Sequence, residues 1–125
     1  MRNVIHPSVG FRLVPGNFSP MKGADLHGRA TEGGCGHAME IWLKLEGDRV
    51  AGATYVTDGC ESFVLCGSLL AHLCQGLTLA EAARLGRAEV LAAVGADDES
   101  TRQSADLALG ALAAAVASAR LQEQP

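Results

Sequence analysis

Residues 33–60 read GGCGHAMEIWLKLEGDRVAGATYVTDGC, and the alternation inside this stretch decides the fold. Met39, Ile41, Leu43 and Leu45 fall on one face of an extended chain, and Glu40, Trp42 and Lys44 on the other. That is the period-two signature of a half-buried strand. Glu46-Gly47-Asp48-Arg49 supplies turn chemistry, and Val50 to Thr57, rich in β-branched and aromatic residues, returns as the second strand of a hairpin. At the two open ends of this hairpin stand Cys35 and Cys60, each set among glycines.

Working outward, a shorter strand around residues 28–31 completes an antiparallel sheet. After Gly59 the period changes: Phe63, Cys66, Leu70, Leu73 and Cys74 recur at helical spacing, and Gly76 is a natural stop. Thr78-Leu79-Ala80-Glu81 is a capping box that opens a short helix through Leu85, and residues 86–94 add another turn or two. The alanine- and leucine-rich segment from about Ser100 to Leu121 is strongly helix-favouring. Strands followed by helices predict an α+β fold, a three-stranded antiparallel sheet with helices packed on one face. Residues 1–26, with Pro7, Pro15 and Pro20, read as an N-terminal arm, residues 27–121 as one domain and residues 122–125 as a tail.

A chain of 125 residues accommodates one core, and 48% apolar with 19% charged residues is a globular balance. A net charge of -4 without a Lys/Arg cluster argues against nucleic acid as a partner. MRNVIHPSVGFRLVPG lacks the apolar run of a signal peptide, and Gly, Arg and Asp interrupt the helical stretches before they reach membrane-spanning length. The expectation is a cytoplasmic protein that does not enter a membrane. In that compartment the four cysteines (Cys35, Cys60, Cys66 and Cys74) point to reduced thiols with metal or redox roles rather than to disulfides.

With the turn centred on Gly47-Asp48, an unbroken ladder opposes Cys35 to Cys60 and His37 to Asp58 on one face. Directly opposed side chains have Cβ atoms roughly 4.5–5.5 Å apart, which is metal-bridging distance. The surrounding Gly33, Gly34, Gly36 and Gly59 make that pairing approximate. Cys60 stands at the start of the first helix, where unpaired N–H groups and the helix dipole favour a thiolate. Two thiols, an imidazole and a carboxylate suit zinc or iron. The bland alternative is a pair of small semi-buried cysteines. Cys66 and Cys74 lie on the apolar helix stripe and read as core; His6, His27 and His72 receive no role. Trp42 on the polar face is either a contact surface, for a partner or a second copy, or is covered by the chain's own arm.

The residues GGCGHAMEIWLKLEGDRV, TDGCES and QGLTLAEAARL, within a match over roughly residues 25–120, resemble the NifU-type, IscU-like iron-sulfur cluster assembly scaffolds. The resemblance implies a three-stranded antiparallel sheet with helices on one face. Three cysteines at one end would hold a nascent [2Fe-2S] cluster, iron or a zinc ion, helped by an aspartate two residues after the first cysteine and a histidine before the third. It also implies sulfur supplied by a cysteine desulfurase and cluster delivery to apo-protein acceptors. Cys35 and Cys60 match the first two cysteines. His37 stands where the family usually has aspartate, and Gln103-Ser104 aligns with the family's His-Cys, so that Ser104 occupies the position of the third cysteine. The segment before it, ADDESTR, carries no proline. Ser100-Thr101-Arg102-Gln103 also reads as a capping box, with Gln103 as the cap.

Three functions are compatible with these residues. In the first, a divergent scaffold binds iron or a cluster through Cys35, His37 and Cys60, with a fourth ligand from Asp58, Cys66 or a partner. The second is a zinc-stabilised domain that docks on the assembly machinery. In the third, Cys60 is a reactive thiol that accepts sulfur as a persulfide. Gly-rich phosphate loops, Ser/His/Asp arrangements and paired carboxylates are missing from the sequence, so the chain is not expected to be an enzyme.

Overall fold

The computed structural model describes residues 17–31, 37–59 and 61–123, with side chains as far as residue 119. Three strands, β1 (Leu26–Thr31), β2 (Ala38–Glu46) and β3 (Arg49–Thr57), form an antiparallel sheet in the order β1-β2-β3. Four helices follow: α1 (Glu61–Cys74), α2 (Leu79–Ala83), α3 (Arg87–Val94) and α4 (Glu99–Glu123). The α+β class expected from the sequence is the observed one, with β1 two residues longer than anticipated and α2 two residues shorter.

The alternation read from the hairpin is the alternation of burial. Met39, Ile41 and Leu43 are fully buried beneath α1 and α4, together with Leu26, Ala53 and Tyr55 from the flanking strands. Gly47 has a φ of +64°, and no non-glycine residue has a positive φ among the described residues. A positive φ at the first central residue alone is the sign pattern of a type II′ turn, whose twist matches that of the strands it joins.

The register differs from the one expected. Glu46 opposes Arg49 and Leu45 opposes Val50, but Lys44 then opposes Gly52 and Met39 opposes Thr57. Ala51 is the extra residue of a β-bulge, which moves every later pair by one. The predicted opposition of His37 to Asp58 as a ladder pair is therefore corrected: the shifted register brings Asp58 beside Ala38. The bulge also reconciles two buried positions on β3, Val50 and Ala53, that strict alternation would put on opposite faces.

Helices meet the sheet at glycines. A Cβ on Gly28 of β1 would sit 2.1 Å from Ala115 N and 2.2 Å from Ala111 O of α4, so only glycine permits this contact. In α1, a Cβ on Gly67 would meet the Tyr55 ring at 2.5 Å. Cys66 and Cys74, read as core residues, are both fully buried, and burial pushes the Cys74 thiol up to about 12.

The turn end of the hairpin is closed by the α1–α2 connection. Gly76 N donates to Val50 O, Val50 N to Leu77 O and Leu79 N to Asp48 O, each at 2.8 Å. Thr78 and Glu81 form the expected capping box. Of the arm expected over residues 1–26, the described part is tied down at Asn17. Tyr55 N donates to Asn17 O at 2.9 Å, and Asn17 Nδ2 donates to Ser68 O at 3.1 Å. This contact covers part of the outer edge of β3, the edge that does not pair with β2.

Gly28→Ala forces β1 away from α4 and is expected to lower the unfolding free energy by about 3 kcal/mol, measured by chemical denaturation. The Cys74 thiol ionises in the unfolded chain near its ordinary value of 9.0 but in the native state only near about 12. Its native protonated form is therefore an alkaline liability: stability falls between those values by about 1.4 kcal/mol per pH unit. Cys74→Ala is expected to flatten that decline in a pH series of unfolding curves.

Candidate metal and cluster site

Opposite the closed turn, the other end of the sheet gathers chain termini of several elements. β1 ends at Thr31, β2 begins at Ala38, β3 ends at Thr57 and α1 begins at Glu61. The first turn of α4 lies there too, with Ser100 Oγ 3.3 Å from Ser62 Oγ of α1. Two helix N-termini thus point their positive dipole ends toward one place, which favours thiolates and other anions. Among the described residues, no group of three or more His, Cys, Asp and Glu side chains could by itself hold a metal. Cys35 and Cys60 lie outside the described residues; in sequence they flank this end, two residues before His37 and directly before α1.

His37 and Asp58 are brought together here. The sequence called them opposed strand residues, whereas they meet just beyond the strand ends, with Nδ1 of His37 3.6 Å from Oδ1 of Asp58. The same Oδ1 accepts a hydrogen bond from Ala38 N at 2.9 Å. That bond is the main reason the Asp58 carboxyl is held below the usual carboxylate range, with the His37 charge adding to it. Thr57 Oγ1 donates to Ala38 O at 2.7 Å and accepts from Gly59 N at 3.1 Å. The open hairpin end is therefore fastened by side chains after the ladder has stopped.

The sequence missed the residue on the other side of the imidazole. Phe63 of α1 meets the His37 ring edge to face, with centroids 5.3 Å apart and planes at 72°. Helical spacing had read Phe63 only as core, and it is core, at 7% exposure. Gly59 makes its position possible, since a Cβ there would lie 1.6 Å from Phe63 Cδ2. The one sequence signal for this arrangement was a glycine directly before Cys60.

The remaining candidates lie elsewhere. Ser104, proposed at the position of the third cysteine, is fully buried in α4, and its hydroxyl donates to Ser100 O one turn back at 2.9 Å. Cys66 is also fully buried, with Sγ donating toward Thr101 O at 3.8 Å. Cys66 thus sits in the core as its place on the helix stripe implied, and Ser104 is packed in the core as well. Gln103 is not the cap of α4. The helix starts earlier, at Glu99, where Asp98 bonds the Thr101 hydroxyl and its carbonyl accepts from Arg102 N at 2.9 Å. Gln103 instead donates to Glu99 at 3.4 Å. It lines a cleft of about 330 Å³ between α4 and the end of β1, with Thr31 and Asp106. Trp42 is half-buried, stacked on His27 at 4.9 Å, and His27 Nε2 bonds Glu40 Oε1 at 2.8 Å.

The NifU-like N terminal domain family matches residues 14–124. The chain belongs to that family. This NifU-family chain is 37% identical over 103 residues to the nitrogen fixation protein NifU of Cereibacter sphaeroides, covering 82% of the chain but 42% of that protein. It is 28% identical over 102 residues to an iron-sulfur cluster assembly scaffold protein IscU of Archaeoglobus fulgidus, covering 67% of it. The chain therefore spans less than half the length of the NifU relative. Its fold matches a crystal structure from Fervidobacterium islandicum AW-1, described as a SUF-system iron-sulfur cluster assembly scaffold. The TM-score is 0.67 at 13% identity, with 82% of this chain and 88% of that chain covered. No helix among the described residues is long and apolar enough to cross a membrane.

Gly59→Ala is expected to displace Phe63 from the imidazole. The His37 ring proton resonances should lose their aromatic shift, and unfolding free energy should fall by about 2 kcal/mol.

Proposed function

We propose that this NifU-family chain is an iron-sulfur cluster assembly scaffold in which Cys35, His37 and Cys60 hold iron or a [2Fe-2S] cluster as cargo. The observation that carries this reading is the placement of His37 at the sheet end where β2 starts, β3 stops and two helix N-termini converge. Thiolates entering that end from residues 35 and 60 would find favourable electrostatics and an imidazole already oriented. In this reading a cysteine desulfurase supplies the sulfur, apo-proteins receive the cluster, and the chain's own role is to bind and release rather than to catalyse.

The burial of Ser104 supports a second reading. With a serine hydroxyl turned into the core where the family has a thiolate, the same three ligands suit a four-coordinate zinc ion completed by water or a partner residue. The domain would then dock on the assembly machinery without building clusters. Persulfide acceptance at Cys60 would need neither His37 nor bound metal.

Protein purified without oxygen and incubated with iron, cysteine and a desulfurase is expected to develop a sulfide-to-iron charge-transfer band with matched iron and acid-labile sulfide. Cys35→Ala should abolish the band, and His37→Ala should weaken metal retention while leaving thiol alkylation at Cys60 unchanged. Zinc bound at one equivalent with no such band would select the second reading. Persulfide on Cys60 with no retained metal would select the third.

A further inference from the structure

We propose that Asp58 is a positioning residue for His37, holding the imidazole so that Nε2, and not Nδ1, presents its lone pair to a metal or cluster. This rests on His37 being a ligand, and it removes Asp58 from the candidate ligands.

Three observations converge on that assignment. The Asp58 carboxylate is itself fixed, since its Oδ1 accepts from Ala38 N at 2.9 Å, a backbone group anchored at the first residue of β2. His37 directs Nδ1 at that same oxygen, 3.6 Å away. Phe63 closes on the ring edge to face, so rotation of the imidazole away from Asp58 meets a buried side chain. A neutral imidazole carries one N–H and one lone pair, and the partner of one nitrogen sets the role of the other. A carboxylate beside Nδ1 draws the proton there, which leaves the lone pair on Nε2.

The two side chains also approach from different faces. Asp58 lines a cleft on the helix-free face of the sheet with Arg29, Glu40 and Val56. His37 packs on Phe63, beneath which lies the core. A metal taken by Nε2 therefore lies across the ring from the carboxylate. Histidine ligands with a carboxylate on the second nitrogen gain basicity and a fixed orientation, and loss of such partners typically weakens metal affinity 10–100-fold. The 3.6 Å separation is longer than a hydrogen bond and leaves room for the pair to tighten when a cation arrives at Nε2.

The test compares the wild-type chain with Asp58→Asn and Thr57→Val. Asp58→Asn keeps an oxygen for Ala38 N while removing the charge. Thr57→Val breaks the hydroxyl bond to Ala38 O at the same hairpin end without touching His37, and so reports a merely structural role. The first readout is the His37 tautomer in metal-free protein above the imidazole titration range, from long-range nitrogen–proton NMR. Wild type and Thr57→Val are expected to show the Nδ1–H form, and Asp58→Asn to shift toward the Nε2–H form. The second is cobalt(II) affinity followed by its visible absorption, expected to weaken about 10-fold or more in Asp58→Asn and less than twofold in Thr57→Val. A wild-type Nε2–H tautomer, or Asp58→Asn binding cobalt as Thr57→Val does, overturns the positioning role alone. Wild-type binding that survives His37→Ala unchanged overturns the ligand reading beneath it.

Discussion

The close approach of two helices to one face of a three-stranded sheet is the constraint on which the rest of this structure depends. A sheet of three strands has one apolar face to bury, and here Met39, Ile41, Leu43 and Tyr55 fill most of it. Alanine-rich α4 can lie directly against β1 because Gly28 offers no side chain, and Gly110 of α4 in turn faces Ala30. Gly67 does the same for α1 under Tyr55. Packing at this distance leaves little freedom to slide or rotate the helices, since atoms at van der Waals contact resist both. It thereby determines where the helix N-termini lie.

That placement separates the two ends of the hairpin chemically. The turn end is sealed by backbone hydrogen bonds to residues 76–79, with Arg49 Nη1 donating to Gly76 O at 2.6 Å. The other end is held by Asp58, Thr57 and Ala38, while α1 and α4 add their positive dipole ends. The two ends thus differ in kind: one is closed by backbone hydrogen bonds, the other by side chains beside two helix N-termini.

Much of this was legible in residue patterns. The alternation of Met39 to Leu45, the Thr78–Glu81 capping box and the helical spacing of Phe63, Cys66, Leu70 and Cys74 each reflect a local physical rule, and each appears in the structure where the rule puts it. The failures share a cause as well. Ser100 to Gln103 satisfies a capping pattern, but Asp98 two residues earlier provides a carboxylate acceptor and starts α4 sooner. The sequence aligned Ser104 with the family's third cysteine without deciding its burial, and the phase of α4 turns it into the core. Local pattern states what a residue is able to do, and packing selects among the abilities.

The amino-acid sequence by itself determined the order of the elements, the buried face of β2 and the family, because these follow from side-chain period and from short runs of residues. Only the tertiary structure decided which polar groups meet at the open end of the sheet. A single bulge at Ala51 shifts the ladder by one, places Asp58 beside Ala38 rather than across from His37, and leaves the imidazole between a carboxylate and the Phe63 ring. Nothing in the period of β2 or β3 reveals that extra residue, since a bulge is stabilised by what packs on both sides of the strand and not by the strand alone.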